Sequence, residues 1–227
     1  GLLKDYDDSL KNFQKEHNLT IFHLMGQHVN YKLRYRSKQA RFWASSYEDK
    51  RPELTDAQRK MLSHYDNATL YNDSIVAQIV KRFQKQDAIV IYVPDHGEEC
   101  YEENRGIICR NHSAEIDWPL AHYEFEIPFW IYCSPKYIRN HRDIYRQIRK
   151  AKDKRFMTDA LPHLLLYLAG IETPTYKEEY NILSPKYDEM RPRILKNSAD
   201  YDKLRDAHLE KIKKEESKKV KKKERRN

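Results

Sequence analysis

Hydrophobic and polar residues follow two different periods along this chain, and the alternation of the two predicts a mixed fold. Short runs of β-forming residues predict buried strands at 19–25, 88–93 and 127–132. Apolar residues spaced three or four positions apart predict helices at 2–16, 55–86 and 158–168. Because the strands and helices alternate, we expect an α/β fold in which a mostly parallel sheet is flanked by helices.

Three stretches between these elements lack a regular hydrophobic period. Residues 31–56 are basic and aromatic, and we expect an irregular connection with helical pieces there. Residues 98–121 are predicted to be a loop. Residues 135–150 are polar, and we expect them to be partly helical.

Asp95 and His96 follow the predicted strand at 88–93. Open α/β sheets bind ligands at the carboxyl ends of their strands. A carboxylate beside an imidazole offers oxygen and nitrogen ligands that suit zinc or manganese. We expect Gly97 to let the backbone turn sharply beneath these ligands. The pair therefore predicts a metal site at this edge of the sheet.

Two further histidines are expected at the same edge. His28 follows the predicted strand at 19–25, and His112 lies in the loop after Asp95. A single residue of this kind is more often structural than a ligand. Two strand ends and one loop that bring such residues together nevertheless favour a metal site.

Four short motifs make this chain similar to the phosphoethanolamine transferases, which belong to the alkaline phosphatase and sulfatase superfamily. The motifs are His23-Leu24-Met25-Gly26-Gln27-His28, Tyr31-Lys32-Leu33-Arg34-Tyr35, Tyr65-Asp66-Asn67-Ala68 and Val93-Pro94-Asp95-His96-Gly97-Glu98. The resemblance covers about residues 1–185. It implies an alkaline phosphatase-like fold, of which this chain would be the incomplete C-terminal half.

The resemblance also implies roles for individual residues. Asp95 and His96 match the pair that binds the catalytic zinc, so one or two zinc ions are expected, with manganese as an alternative. His28 and His112 match the residues that hold a second metal or the substrate phosphate. His122 is the alternative to His112 as the histidine of this loop.

The activity implied by the resemblance is transfer of phosphoethanolamine from a phospholipid to lipid A or a core saccharide, at the periplasmic face of the inner membrane. The family's Thr nucleophile and metal-binding Glu precede these motifs, and neither has a match here. Thr20 lies inside a strand pattern, so we do not assign it as the nucleophile. We therefore expect a fragment that is inactive alone. The alternatives are a sulfatase or phosphodiesterase-type hydrolase of the same superfamily, or a non-catalytic zinc-binding remnant.

Charge divides the chain into two regions. The net charge is +8 over 227 residues, but residues 203–227 contain 12 Lys and Arg against 5 Asp and Glu. We therefore expect a domain at 1–200 and a basic tail at 201–227 that is helical or disordered. The tail could meet an anionic membrane surface. Nucleic-acid binding is not expected, because no aromatic residues are interleaved with these charges.

Hydropathy and cysteine content add two further expectations. The mean hydropathy is −0.98, and no run approaches the roughly 18 apolar residues of a membrane span. Cys100 and Cys109 flank a polar loop and could either pair or remain free thiols. Cys133 is expected in the core.

Overall fold

The computed structural model describes residues 1–9, 17–111 and 115–224, with side chains described as far as residue 219. Within these ranges every helix is too short or too polar to span a bilayer. The predicted helix at 2–16 lies partly outside the described residues. Its described part is helix α1, Leu2–Ser9.

The chain forms two units. The first comprises residues 1–85 and 100–106, and the second comprises residues 86–99 and 107–227.

Helix α2, Asp56–Phe83, is the longest element of the first unit and confirms the helix predicted at 55–86. Thr55 caps it, because the Thr55 hydroxyl accepts the backbone N–H of Gln58 while the Gln58 side chain accepts the backbone N–H of Thr55. One face of α2 is buried, with Leu62 and Ala68 among its core residues. The cap fixes where the helix begins, and this face fixes its packing.

The prediction of a strand at 19–25 is wrong. The chain is irregular there, and none of the described strand pairs includes it. The two-residue alternation is nevertheless visible in burial, because Phe22 and Leu24 are half-buried while Ile21, His23 and Met25 are exposed. Phe22 packs against the rings of Tyr6 and Phe83. The segment thus has the side-chain pattern of a strand without a hydrogen-bonded neighbour.

Strands β1, Ile89–Tyr92, and β4, Trp130–Cys133, pair in the second unit. Their positions confirm the strand predicted at 88–93 and, with a shift of up to three residues, the one predicted at 127–132. The pairing is antiparallel, however, with Tyr92 opposite Trp130. The parallel arrangement expected from the alternation of strands and helices is wrong for this pair. Strand β4 begins, at Trp130, beside the end of β1, at Tyr92, so the two strands run in opposite directions.

The loop predicted at 98–121 contains regular structure. It holds two short strands, β2 at Glu99–Cys100 and β3 at Ile108–Cys109. It also holds the start of helix α3, Trp118–Phe125, which is capped by Asp117 through the backbone N–H of Leu120 at 2.9 Å. Asp-Trp-Pro at this point is a helix-start signal, since Asp caps well and Pro suits the first turn.

The remaining elements follow in the second unit. They are α4 at Pro135–Asn140, α5 at Arg142–Ala151, α6 at Leu161–Leu168, β5 at Ile194–Leu195, β6 at Ala199–Asp200 and α7 at Tyr201–Glu224. Helix α6, preceded by a 3-10 turn at Thr158–Ala160, confirms the helix predicted at 158–168. Strands β5 and β6 are antiparallel. Leu164, Ile182 and Leu183 form the centre of the main core of this unit.

Candidate functional site

Asp95 and His96 lie just beyond β1, in the second unit. The surroundings of the His96 ring include a backbone carbonyl and a carboxylate. Its Nδ1 lies 2.7 Å from the carbonyl oxygen of Gly97, and its Nε2 lies 3.5 Å from Oδ2 of Asp95. The Asp95 side chain is 86% exposed and the His96 side chain 24% exposed. The carboxylate thus faces solvent, while the ring is held from behind by the backbone.

This arrangement fits zinc. A proton on Nδ1, donated to the Gly97 carbonyl, leaves Nε2 with the lone pair that a metal needs. Two ligands of a tetrahedral zinc, each about 2.0–2.1 Å from the ion, are about 3.3 Å apart. The 3.5 Å separation between Nε2 and Oδ2 is close to that value. Asp95 and His96 can therefore supply two adjacent ligands.

A complete ligand set is not found in the part of the chain that the structure describes. No group of three or more His, Cys, Asp or Glu side chains there is arranged to hold a metal ion. A structural zinc site takes four protein ligands and a catalytic site three. The Asp95–His96 pair therefore needs further donors.

Gly97 is required for a reason other than the sharp turn that we expected. Gly97 does not have the positive φ that distinguishes glycine from other residues. Instead, a Cβ placed on it would lie well within 3.0 Å of the carbonyl oxygen of Tyr123 in α3. The Gly97 N–H donates to the carbonyl of Glu124 at 2.8 Å. The glycine thus permits close backbone contact between the Asp-His loop and α3.

His28 belongs to the first unit. It follows a turn at Gly26, which has a φ of 52°, and its backbone N–H donates to the carbonyl of Met25 at 3.2 Å. Its ring is exposed, and Nδ1 lies 3.4 Å from the carbonyl oxygen of Val29. Arg34 donates to the His28 carbonyl at 2.9 Å, which fixes the backbone and leaves the imidazole at the surface.

His112 and His122 are the two candidates for the loop histidine. His112 lies outside the described residues. His122 lies on α3, where its ring stacks on Trp118 with centroids 5.4 Å apart and its Nδ1 is 2.9 Å from a carboxylate oxygen of Glu126. His122 is therefore engaged in the packing of its own helix. Asn111, directly before His112, donates its backbone N–H to Glu124 at 2.6 Å, which ties the start of this loop to α3.

The three cysteines, all of which lie in the described residues, form no disulfide bond. Of the two alternatives for Cys100 and Cys109, a disulfide between them is thus not found. Cys109 Sγ lies 4.0 Å from a carboxylate oxygen of Glu98. Cys133 is buried as expected, and burial raises the pKa of its thiol.

The Tyr65-Asp66-Asn67 motif has a structural role in the first unit. Asn67 is 2% exposed, and its side-chain oxygen accepts the backbone N–H groups of Arg41 at 2.6 Å and Phe42 at 3.1 Å. Its amide donates to the carbonyls of Phe42 and Ser63, each at 2.8 Å. Asp66 accepts a hydrogen bond from Tyr47. Both side chains therefore hold the segment before α2 onto the helix.

Comparison with known proteins gives related sequences. The Sulfatase family model matches residues 2–171. Phosphoethanolamine transferase EptC of Escherichia coli K12 is 31% identical over 196 residues, which cover 82% of this chain and 32% of that protein. Kdo(2)-lipid A phosphoethanolamine 7''-transferase of the same strain is 29% identical over 157 residues, which cover 68% of this chain and 26% of that protein.

Solved structures agree with the sequence relatives. The C-terminal periplasmic domain of EcEptC from Escherichia coli, in complex with Zn, matches with a TM-score of 0.71 at 29% identity. The match covers 89% of this chain and 56% of that domain. The α/β, alkaline phosphatase-like fold class is thereby confirmed. This chain spans about a third of the length of the curated relatives it matches. It belongs to the sulfatase family, and within that family it is homologous to the phosphoethanolamine transferases.

Proposed function

We propose that this chain is part of a metal-dependent enzyme that transfers phosphoethanolamine from a phospholipid donor to lipid A or a core saccharide at the periplasmic face of the inner membrane. The observation that carries the proposal is the Asp95–His96 pair, in which an oriented imidazole nitrogen lies 3.5 Å from a carboxylate oxygen. A solved relative whose structure contains Zn, and relatives named as phosphoethanolamine transferases, support it.

Each residue has a defined chemical task in this proposal. Asp95 Oδ2 and His96 Nε2 are the zinc donors, and the Gly97 carbonyl keeps the His96 proton on Nδ1. His28 and His112 hold a second metal or donate hydrogen bonds to the oxygens of the transferred phosphoryl group, where negative charge spreads during transfer. Bound zinc would polarise a phosphoryl oxygen and lower the pKa of the attacking hydroxyl.

The chain is proposed to act as one part of a larger catalytic domain. Leu19 and Ile21 are 78% and 79% exposed and Met25 is 65% exposed, on one side of an extended segment. Apolar exposure of this kind is typical of a surface that another segment covers. The Thr nucleophile would come from that other part of the domain, so the isolated chain should not transfer phosphoethanolamine.

Zinc binding tests the proposal directly. Competition with a chromophoric chelator should show that His96→Gln and Asp95→Asn each weaken zinc binding by at least tenfold, because each removes one of the two adjacent donors. His122→Gln is the matched control and should bind zinc as the parent chain does, since its ring is used in packing within α3. Equal affinity in all four proteins would contradict the assignment of Asp95 and His96.

A non-catalytic remnant is the second candidate. It is favoured by the lack of a group of three or more ligand side chains among the described residues. A remnant could bind zinc or a partner surface. A chain that stays free of zinc after purification in zinc-containing buffer would support a remnant that binds a partner surface, whereas phosphoethanolamine transfer by the isolated chain would contradict both the remnant and the expected inactivity of the isolated chain.

A further inference from the structure

Helix α7 has two halves with different surroundings. In its first two turns, Tyr201 is 8% exposed and belongs to an apolar cluster with Ala121 and Leu195. Leu204 packs against this cluster. His208 stacks on Trp118 of α3, with ring centroids 5.3 Å apart. From Leu209 to Lys219, by contrast, every residue is exposed. The helix is thus anchored at its start, and its side chains at 209–219 are exposed to solvent.

The anchor includes a partly buried charge cluster as well as the aromatic contacts. Asp202 accepts hydrogen bonds from Arg155 and from Arg193, the latter at 2.7 Å, and its carboxylate lies 3.2 Å from Arg205. Only 18% of the Asp202 side chain is exposed. Because one carboxylate joins α7 to two other segments of this unit, the direction of the exposed half is fixed by the first half.

Three basic residues of the exposed half share one side of the helix. Lys211, Lys214 and Lys218 are separated by three and four positions, which brings them to one face of a helix. The same spacing continues in the sequence to Lys221 and Lys222. We refer to Lys211, Lys214 and Lys218 as the lysine stripe. Leu209, Ile212 and Glu216 recur on the opposite face with the same period.

The lysine stripe is unfavourable for a helix in water. Lys214 and Lys218, and then Lys218 and Lys222, are like charges four residues apart, which destabilises a helix. Within the stripe, Lys214 Nζ lies 3.5 Å from a carboxylate oxygen of Glu210, which offsets part of this repulsion. An external anionic surface along this face would remove the repulsion.

We propose that the lysine stripe docks α7 against the anionic headgroups of a lipid bilayer. The charge pattern carries the binding, whereas the choice of a bilayer over other polyanions rests on the proposed function, which requires lipid substrates. Residues 209–227 contain no aromatic side chain on which nucleic-acid bases could stack. Leu209 and Ile212, the exposed apolar residues at 209–219, are too few for deep insertion, so the binding is peripheral and sensitive to salt.

Vesicle sedimentation with the full chain tests the proposal. The chain should bind vesicles of phosphatidylcholine that contain about 30% phosphatidylglycerol, which makes the surface strongly anionic. It should not bind vesicles of pure phosphatidylcholine. Neutralising the stripe with Lys211→Gln, Lys214→Gln and Lys218→Gln should weaken binding about 100-fold, because each basic residue near such a surface contributes about fivefold. Circular dichroism should show that the helix persists.

The matched control neutralises three lysines of the same helix that lie off the stripe, with Lys213→Gln, Lys219→Gln and Lys223→Gln. This control has the same net charge as the stripe variant, and its binding should fall less than tenfold. Equal losses in the two variants, or no vesicle binding by the parent chain, would overturn the proposal. Tighter binding to duplex DNA than to the anionic vesicles at the same salt concentration would overturn the choice of a lipid surface. Zinc binding does not enter this assay, so its result is independent of the proposed metal site.

Discussion

At the scale of single residues, the Asp-His loop depends on a backbone contact. The Gly97 carbonyl accepts from the His96 ring, and the Gly97 N–H donates to the Glu124 carbonyl. One peptide segment therefore orients the imidazole on one side and fastens the loop to α3 on the other. The orientation of the ring and the packing of α3 are thus coupled through a residue that has no side chain.

Gly97→Ala should cost about 3 kcal/mol of unfolding free energy, because the new methyl group would displace the Tyr123 carbonyl and overpack this contact. Urea denaturation measures the change. Gly106→Ala is the control, since nothing lies within 4 Å of its Cβ position and only its φ of 70° opposes the substitution. The control should lose about 1 kcal/mol. If Gly97→Ala costs no more than Gly106→Ala, the close contact with α3 is not significant.

At the scale of elements, α7 is held by charge as well as by apolar packing. The hydrogen bond from Arg193 holds the pKa of Asp202 below its usual range, and the charges of Arg155 and Arg205 act in the same direction. A carboxyl group with a lowered pKa stabilises the folded state above its unfolded pKa of about 3.9. This contribution is lost as the pH falls through the lower pKa of the folded state.

Asp202→Asn should therefore lower the melting temperature at pH 7, because it leaves Arg155 and Arg193 without their shared counter-charge. The variant should also lose less stability than the parent chain when the pH is lowered from about 5 to 2, since the titrating group is gone. Thermal melts at several pH values measure both effects. Asp143→Asn is the control, because Asp143 pairs with Arg146 on the surface and is 84% exposed. Parallel pH curves for the parent chain and Asp202→Asn would contradict this account.

At the scale of the whole molecule, the two units differ in how completely they bury apolar residues. The second unit has a core around Leu164, Ile182 and Leu183. The first unit leaves Leu19, Ile21 and Met25 exposed on an extended segment. An exposed apolar segment with strand-like alternation is a common site of association and aggregation.

Replacing Leu19 and Ile21 together by Thr should raise the solubility of the chain and reduce its binding of a hydrophobic dye. The unfolding free energy should change by less than about 0.5 kcal/mol, because these side chains make few contacts in the folded chain. Phe22→Ala is the control in the same segment. It should cost about 2 kcal/mol, since it removes ring contacts with Tyr6 and Phe83. A large loss of stability on replacing Leu19 and Ile21 would show that they are already covered.

The sequence alone determined the features that depend on neighbouring residues. The helix that Thr55 caps, the strand before Asp95 and the helix at 161–168 follow from propensity, period and capping, which act over a few positions. The chemistry of Asp95 and His96 follows from their side chains and from their place after a strand. Membership of the family could also be recognised from four short motifs.

Only the tertiary structure decided the features that depend on distant residues. The antiparallel pairing of β1 with β4 and the contact that requires Gly97 each join positions far apart in the chain. Whether residues 19–25 form a strand depends on whether a neighbouring strand is present, and none of the described strand pairs includes them. Hydrogen bonding between strands and close packing are properties of such pairs, so no local pattern contains them. Helix α7 shows the same division. The helical period places the lysines of the stripe on one face, whereas the contacts of Trp118 and Asp202 with distant residues decide how the start of the helix is held.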